Sequence, residues 1–130
     1  MAEALLIRGE NHSDARGTLR FCNDFDMAEV RRFYTISNSA VEPKRGWIMH
    51  KRETKWFFPL VGVTEVKVRG DGEQWNRCSS FVLSAEESAV LRIPPGHWFC
   101  IEQDGTAEVQ VFSDCRLGEY KNDDYRRPLK

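Results

Sequence analysis

Short runs in which hydrophobic and polar residues alternate dominate the chain. Between Val63 and Val68, the charged residues Glu65 and Lys67 occupy one face of an extended segment and valines occupy the other. The turn sequence Gly70-Asp71-Gly72 follows directly. This pattern predicts a half-buried strand that leads into a hairpin.

Similar runs recur between turn signals along the whole chain. Further strands are predicted at residues 5–7, 18–23, 32–37, 45–51, 80–83, 89–93, 98–102 and 108–113. Residues 11–17 are predicted to form a turn-rich loop, and residues 84–88 and the tail after Leu117 to be helical or irregular. Many short strands indicate an all-β sandwich or barrel, and closure into a jelly roll would remove exposed strand edges.

The length and charge of the chain narrow its expected partners. One domain over residues 1–130 is expected, because a chain of 130 residues can bury a single core. Nineteen basic and 20 acidic residues are interspersed and give a net charge of -1, so neither nucleic acid nor an anionic membrane is expected as a partner. A local basic pocket for one phosphorylated small molecule fits the same composition.

The cysteines and the N-terminus favour a reducing compartment. Cys22, Cys78, Cys100 and Cys115 are too far apart for a Cys-x-x-Cys motif, and we interpret them as small buried hydrophobic residues. The N-terminus has no apolar run typical of a signal peptide. A cytoplasmic location is therefore predicted.

Several motifs carry a family resemblance in their order and spacing. They are Asp14-Ala15-Arg16-Gly17, Arg32-Phe33-Tyr34, Arg45-Gly46 followed by His50-Lys51, Gly62, Asp71-Gly72, Ile93-Pro94-Pro95 with Trp98, and Ser113-Asp114 with Tyr120 and Asp124-Tyr125-Arg126. The chain resembles the RmlC-like cupins that act on dTDP-linked 4-keto-6-deoxyhexoses. It most resembles the WxcM-like 3,4-ketoisomerases and, more distantly, the dTDP-4-dehydrorhamnose 3,5-epimerases. The resemblance implies a double-stranded β-helix, the cupin jelly roll, and isomerisation or epimerisation by enolisation in deoxysugar or surface-polysaccharide biosynthesis.

The cupin resemblance also bears on metal binding. A metal-binding cupin carries His-x-His in one pocket strand, a glutamate four residues later and a histidine near the end of a second pocket strand. This chain has Ile48, His50, Thr54 and Phe99 at those places. One imidazole cannot supply the several ligands that a transition metal needs, so no metal and no other cofactor are predicted.

Candidate catalytic residues follow from the same resemblance. In the ketoisomerases two histidines separated by one residue follow the Arg-Gly pair, and here these positions hold Ile48 and His50. His50 is therefore the expected acid or base, since imidazole titrates near neutral pH. Tyr34 matches the tyrosine beside the sugar, with Thr35 as the alternative if the register differs by one residue. The 3,5-epimerases place their base at the first position, so Ile48 weakens the epimerase hypothesis.

Candidate substrate-binding residues are mostly cationic. The resemblance places Arg16 and Arg45 around the nucleotide diphosphate, because guanidinium groups match phosphate oxygens. Lys55, with Lys51 as the alternative, would add a cation, and Trp98 would stack on the sugar. Each has a structural alternative: a turn residue, a surface ion pair or a core aromatic.

Two further expectations concern which side chains point away from the pocket. Trp47 and Met49 alternate with Ile48 and His50 and should face away from the pocket, where large apolar side chains usually mark a contact. We therefore expect a homodimer, with the N-terminal strand as a candidate for exchange. His97 lies in a Pro-Gly turn and is expected to face solvent, outside the site.

Two functions remain open at this stage. The first is a metal-independent isomerase or epimerase of a dTDP-linked keto sugar. The second is a cupin that binds a sugar nucleotide or a partner without catalysis, which Ile48 in place of a histidine would explain. An enzyme needs His50 and Tyr34 to converge on one pocket, whereas a binder needs only arginines and stacking aromatics.

Overall fold

The computed structural model describes residues 3–129 and confirms the all-β class. Its strands are β1 Leu5–Arg8, β2 Glu10–Asp14, β3 Gly17–Phe21, β4 Arg32–Ile36, β5 Lys44–Met49, β6 Lys55–Val61, β7 Val63–Arg69, β8 Cys78–Ser84, β9 Ala89–Ile93, β10 Trp98–Gln103, β11 Glu108–Ser113 and β12 Tyr125–Arg126. A single 3₁₀ turn, Gly72–Gln74, is the one helical element in that part of the chain. The expectation of one domain over residues 1–130 stays a prediction, and residues 1, 2 and 130 lie outside the described residues.

Two five-stranded antiparallel sheets form the body of the fold. The first has the strand order β1-β9-β6-β11-β4 and the second the order β12-β5-β10-β7-β8, while β2 and β3 form a separate hairpin. Side chains from both sheets meet in one apolar core. Its fully buried members include Phe57, Val66, Leu83, Leu91, Ile101, Val109 and Val111. Burial of this apolar area is the main stabilising contribution to the fold.

The alternation in β7 identified its faces correctly. Val66 and Val68 are buried in the core, and β7 pairs with β8 through the whole of its length.

No strand was predicted at β6, although this strand is central in the first sheet. Trp56 and Phe57 are both buried there, so the two faces do not differ in polarity and alternation is lost.

The prediction of a turn-rich loop over residues 11–17 is wrong for residues 11–14. Residues Glu10–Asp14 form a strand that pairs with β3, and only a tight turn separates the two strands. Every residue of β2 is exposed, so no hydrophobic alternation distinguishes it from a loop. Residues 85–88 are irregular and not helical, as one of the two alternatives predicted.

A second apolar cluster covers the outer face of the second sheet. Trp47 and Met49 do face away from the core, as predicted, but they are buried against Trp98, Cys100 and Trp75 of the same chain. The argument for a homodimer from an exposed apolar face is therefore wrong for these residues. The N-terminal strand β1 pairs with β9 of its own chain.

The interpretation of the cysteines as buried hydrophobic residues is correct for Cys100 and Cys115. Cys100 and Cys115 are buried and Cys22 is half-buried, whereas Cys78 is exposed at the start of β8. All four are free thiols. Residues 3–129 contain no helix with the length and hydropathy needed to cross a membrane.

Gly46 and Gly17 provide a matched pair for testing the packing of β5 against β10. Both have positive φ angles, of 124° and 133°. A Cβ atom at Gly46 would lie 2.6 Å from the Phe99 carbonyl oxygen, whereas a Cβ atom at Gly17 meets nothing within 4 Å. We expect Gly46→Ala to lower the free energy of unfolding by about 2 kcal/mol more than Gly17→Ala, because it adds overpacking to the backbone strain. Urea unfolding measures both, and equal losses would contradict the close approach.

Candidate active site

Two adjoining cavities lie between the β4 edge of the first sheet and β5 of the second. The smaller has a volume of about 220 Å³ and is lined by Arg32, Ile48, His50, Glu53, Lys55, Cys115, Arg116, Gly118, Tyr120, Asp123, Asp124 and Arg126. The larger has a volume of about 370 Å³ and is lined by Tyr34, Thr35, Ile36, Ser37, Arg45, Ile48, Lys55, Phe57, Phe99, Ile101 and Arg126. Ile48, Lys55 and Arg126 line both, so the two cavities share a wall and together form the candidate site.

His50 follows the last residue of β5 and is 8% exposed. Its Nδ1 lies 2.7 Å from the backbone carbonyl oxygen of Asp123. A carbonyl oxygen can only accept, so Nδ1–H donates and the neutral ring carries its lone pair on Nε2. Nε2 is buried and has no hydrogen-bond partner within residues 3–129. The tautomer leaves this nitrogen as the basic atom of the site.

The turn that follows His50 is held by the carboxylate of Asp123. One oxygen accepts from the Lys51 amide at 2.8 Å, and the other accepts from the Arg52 and Glu53 amides at 3.1 Å each. Asp123 is itself buried. Hydrogen bonds from backbone amides to a charged carboxylate are stronger than neutral ones, so this contact fixes the backbone beside His50.

Glu53 is a site residue that the sequence analysis missed. It is 7% exposed, and its carboxylate lies 3.7 Å from His50 Nδ1, 3.7 Å from Arg32 Nη2 and 4.0 Å from Lys55 Nζ. Ser113 donates a hydrogen bond to it. A lone acidic residue in a basic stretch, 51–55, was the available signal. A buried carboxylate here stabilises positive charge on the neighbouring imidazole and ammonium groups.

Lys55 contacts Tyr34 and lines the same cavity as His50. Its Nζ donates to the Tyr34 hydroxyl at 2.7 Å, and the Arg32 guanidinium lies 5.0 Å from the Tyr34 ring centroid. Tyr34 packs against the inner core while Thr35 is exposed, so the register places Tyr34 inward. His50 lines the smaller cavity, Tyr34 the larger, and Lys55 both.

Of the two arginines expected to bind the nucleotide, Arg45 is among the described lining residues of the site and Arg16 is not. Arg45 lines the larger cavity, and its Nε donates to Asn38 Oδ1 at 2.5 Å. Arg126 is an addition to the predicted set; it lines both cavities and pairs with Asp124 at 2.9 Å. Arg16 is 87% exposed at the β2–β3 turn, where it pairs with Asp14 at 2.7 Å, and is absent from the described lining of both cavities.

Two aromatic predictions do not match their positions. Trp98 was expected to stack on the sugar, but it is buried in the outer cluster, where its Nε1 donates to Asp71 Oδ1 at 2.9 Å. It faces away from the cavities because it alternates with Phe99, whose side chain points inward. His97 was expected to face solvent, but it is 7% exposed, with Nδ1 3.2 Å from the Pro95 carbonyl oxygen. The compact Pro-Gly turn folds its ring back onto the protein.

The Cys115 thiol and the Tyr120 hydroxyl, which line the smaller cavity, are uncharged near neutral pH. Burial raises the pKa of the Cys115 thiol, so it stays protonated and is a weak nucleophile. The negative charge of Asp114 is the main reason why the pKa of the Tyr120 hydroxyl is raised.

Within residues 3–129, no three His, Cys, Asp or Glu side chains are grouped to hold a metal ion. The absence of a metal requirement stays a prediction.

Asp123→Asn tests the contact that holds the turn. An amide offers one accepting oxygen, and its NH₂ group would face backbone N–H groups, so the free energy of unfolding should fall by about 1–3 kcal/mol. Asp124→Asn is the matched control, because Asp124 is exposed and its pairing is with Arg126; its effect should stay within about 0.5 kcal/mol. Urea denaturation separates the two, and equal effects would show that Asp123 does not organise the turn.

Three solved structures with similar folds are named as an isomerase, a ketoisomerase and an epimerase. A dTDP sugar isomerase from Desulfovibrio desulfuricans has a TM-score of 0.80 and 20% identity, covering 98% of this chain and 85% of that chain. The 3,4-ketoisomerase QdtA from Thermoanaerobacterium thermosaccharolyticum, in complex with TDP, has a TM-score of 0.77 and 18% identity, covering 96% and 88%. The 3'-monoepimerase ChmJ from Streptomyces bikiniensis, in complex with dTDP, has a TM-score of 0.79 and 14% identity, covering 97% and 69%.

These likenesses show the shared fold. A search of curated protein sequences found no significant match. The model of one family, described as WxcM-like, C-terminal (FdtA), matches residues 3–130. Because this match spans nearly the whole sequence, the chain belongs to the WxcM-like, C-terminal family.

Proposed function

We propose that the chain binds a dTDP-linked 4-keto-6-deoxy sugar and isomerises or epimerises it through an enolate. The observation that carries the proposal is the fixed tautomer of His50, whose basic Nε2 belongs to a buried ring that lines the smaller cavity. The Lys55–Tyr34 pair lies at the junction of that cavity with the larger one. Family membership and the complexes of QdtA with TDP and, in a histidine-to-asparagine variant, TDP-4-keto-6-deoxyglucose support this substrate class.

The charge distribution of the site suits a nucleoside diphosphate. Arg45, Arg126 and Lys55 line the larger cavity, and no carboxylate is among its described lining residues. Guanidinium groups bind phosphate oxygens in a bidentate manner, and their attraction to a dianion is strengthened where the walls exclude water. The diphosphate would therefore lie at the larger cavity, with the sugar directed toward Ile48 and His50.

Enolisation follows from the groups at the junction. His50 Nε2 removes the proton from the carbon next to the C4 ketone, and the electrons of the C–H bond form a C=C bond while the ketone becomes an enolate. Lys55 and the Tyr34 hydroxyl stabilise the developing negative oxygen. When C3 is the carbon that lost its proton, addition of a proton to C4, loss of the C3 hydroxyl proton and uptake of a proton by the C4 oxygen give the 3-keto isomer. Return of a proton to the other face of the original carbon gives an epimer.

Glu53 has a defined part in this scheme. When His50 gains a proton, its ring becomes an imidazolium 3.7 Å from the buried Glu53 carboxylate. Opposite charges at this distance favour the protonated product of the first step. Glu53 acts through His50 and Lys55 and does not need to touch the substrate.

A homodimer is part of the proposal. The β2–β3 hairpin exposes all of β2 and the apolar Leu19, and its Arg16 is not among the described lining residues of the two candidate-site cavities. Arg16 would reach a nucleotide only in the site of a second copy. The activity would serve deoxysugar or surface-polysaccharide biosynthesis in the cytoplasm.

Proton NMR of dTDP-4-keto-6-deoxyglucose in heavy water, with catalytic amounts of protein, tests the reaction. Deuterium at C4 of a 3-keto product would support a 3,4-ketoisomerase, incorporation at C3 alone a 3-epimerase, and incorporation at C3 and C5 a 3,5-epimerase. Line broadening from binding without any exchange would contradict enolisation. It would favour the non-catalytic sugar-nucleotide cupin, for which Ile48 at the shared wall of the cavities is the supporting observation.

His50→Asn should slow deuterium incorporation by at least about 100-fold, the loss typical of a missing acid–base group. The affinity for dTDP should change by no more than about threefold, because the nucleotide is bound by other residues. Glu108→Gln, at an exposed residue of β11 outside the described lining of both cavities, is the control and should keep the wild-type rate. Loss of exchange and dTDP binding together would assign His50 a structural role.

Tyr34→Phe and Lys55→Met test whether the hydrogen-bonded pair acts as one unit. Each should slow exchange by about 10- to 100-fold, and the double variant should be little slower than the worse single variant. Rates measured by the same NMR assay decide this. Multiplicative losses would show that Tyr34 and Lys55 act independently.

A further inference from the structure

The C-terminal strap, residues 123–127, contacts both the candidate site and the outer aromatic cluster. Its strand β12 has only two residues and pairs with the edge of β5, with Arg126 opposite Ile48. The Arg127 amide donates to the Trp47 carbonyl at 3.1 Å, and the Trp47 amide donates to the Arg127 carbonyl at 3.2 Å. So short an edge strand has little pairing of its own to keep it in place.

The outer side of the strap is anchored by stacking. The Arg127 guanidinium carbon lies 3.7 Å from the centroid of the Trp75 ring and 5.5 Å from that of Trp98. Trp75 packs edge-on against Trp98, and the indole nitrogen of Trp98 is fixed by Asp71. Cation–π contacts at partly exposed sites are individually weak but stabilising. The aromatic cluster thus gives the strap an attachment that its strand pairing lacks.

The inner side of the strap supplies the site. Arg126 lines both cavities, one residue before the stacked Arg127. At the other end of the strap, the Asp123 carbonyl fixes His50 and its carboxylate fixes the turn 51–53. Any displacement of the strap would therefore move a cation of the cavity and release the backbone beside His50.

We propose that Arg127 is a positioning residue that holds the strap, and through it Arg126 and the His50 turn, by stacking on Trp75 and Trp98. Arg127 lies on the outer face and touches neither cavity wall among the described residues. Its effect on the site is indirect, through the backbone of residues 123–126. The positional part of this inference does not rest on the proposed reaction.

Amide hydrogen exchange of the ligand-free protein, followed residue by residue by NMR, tests the proposal. Arg127→Ala should accelerate exchange of the Arg127 amide and also of the Lys51, Arg52 and Glu53 amides by about fivefold, the factor that matches the loss of one such stacking contact. Arg127→Lys should recover most of the protection, because an ammonium also stacks on an indole ring. Arg8→Ala, at an exposed arginine of β1, is the matched control and should change none of them.

Two outcomes would overturn the proposal. Faster exchange at Arg127 with unchanged exchange at residues 51–53 would show that the strap is not coupled to the His50 turn. Equal acceleration at core amides such as Val90 and Leu91 would show that Arg127 contributes only to global stability. Affinity for dTDP, measured by titration calorimetry on the same variants, should fall for Arg127→Ala through Arg126. That second readout rests on the proposed function, whereas hydrogen exchange does not.

Discussion

The contact between Asp123 and the turn after β5 is the interaction on which the candidate site depends. Its carboxylate accepts three backbone amides, and its carbonyl oxygen accepts the Nδ1 proton of His50. These groups are about 70 residues apart in sequence, so only the completed fold brings them together. A buried carboxylate is stable when several amide N–H groups donate to it, because these hydrogen bonds replace the ones it would make with water. The same contact determines which ring nitrogen of His50 is basic.

Around this contact the site balances a few carboxylates against many cations. Glu53 and Asp123 are buried and already engaged, the first by Ser113 and nearby cations and the second by backbone amides. Arg45 and Arg126 line the larger cavity, and an anionic ligand there would compete with Asn38 for Arg45 and with the exposed Asp124 for Arg126. Ile48 adds an apolar wall between the two cavities. A wall of this kind excludes water from a sugar without adding a second base, so His50 would carry the proton transfers together with the Lys55–Tyr34 pair.

The fold was largely predictable from sequence where one face of a strand differs from the other in polarity, as in β7. Prediction failed where that contrast is missing: β2 is exposed on all sides, and β6 is buried on both faces near Trp56 and Phe57. Family motifs led to His50, Tyr34, Arg45 and Lys55, all of which line the cavities. Glu53 and Asp123 could not be found in this way, because their roles arise from long-range contacts that no local pattern encodes. Trp98 was misplaced because its partner in alternation, Phe99, takes the inner face.

The most direct measurement is the nitrogen-15 NMR spectrum of the neutral form of the His50 imidazole in the ligand-free protein. The Asp123 carbonyl predicts the tautomer with the proton on Nδ1, so Nδ1 should resonate as a protonated nitrogen and Nε2 as an unprotonated one. A spectrum with the proton on Nε2 would contradict the account. It would remove both the orienting contact and the base on which the proposed enolisation relies.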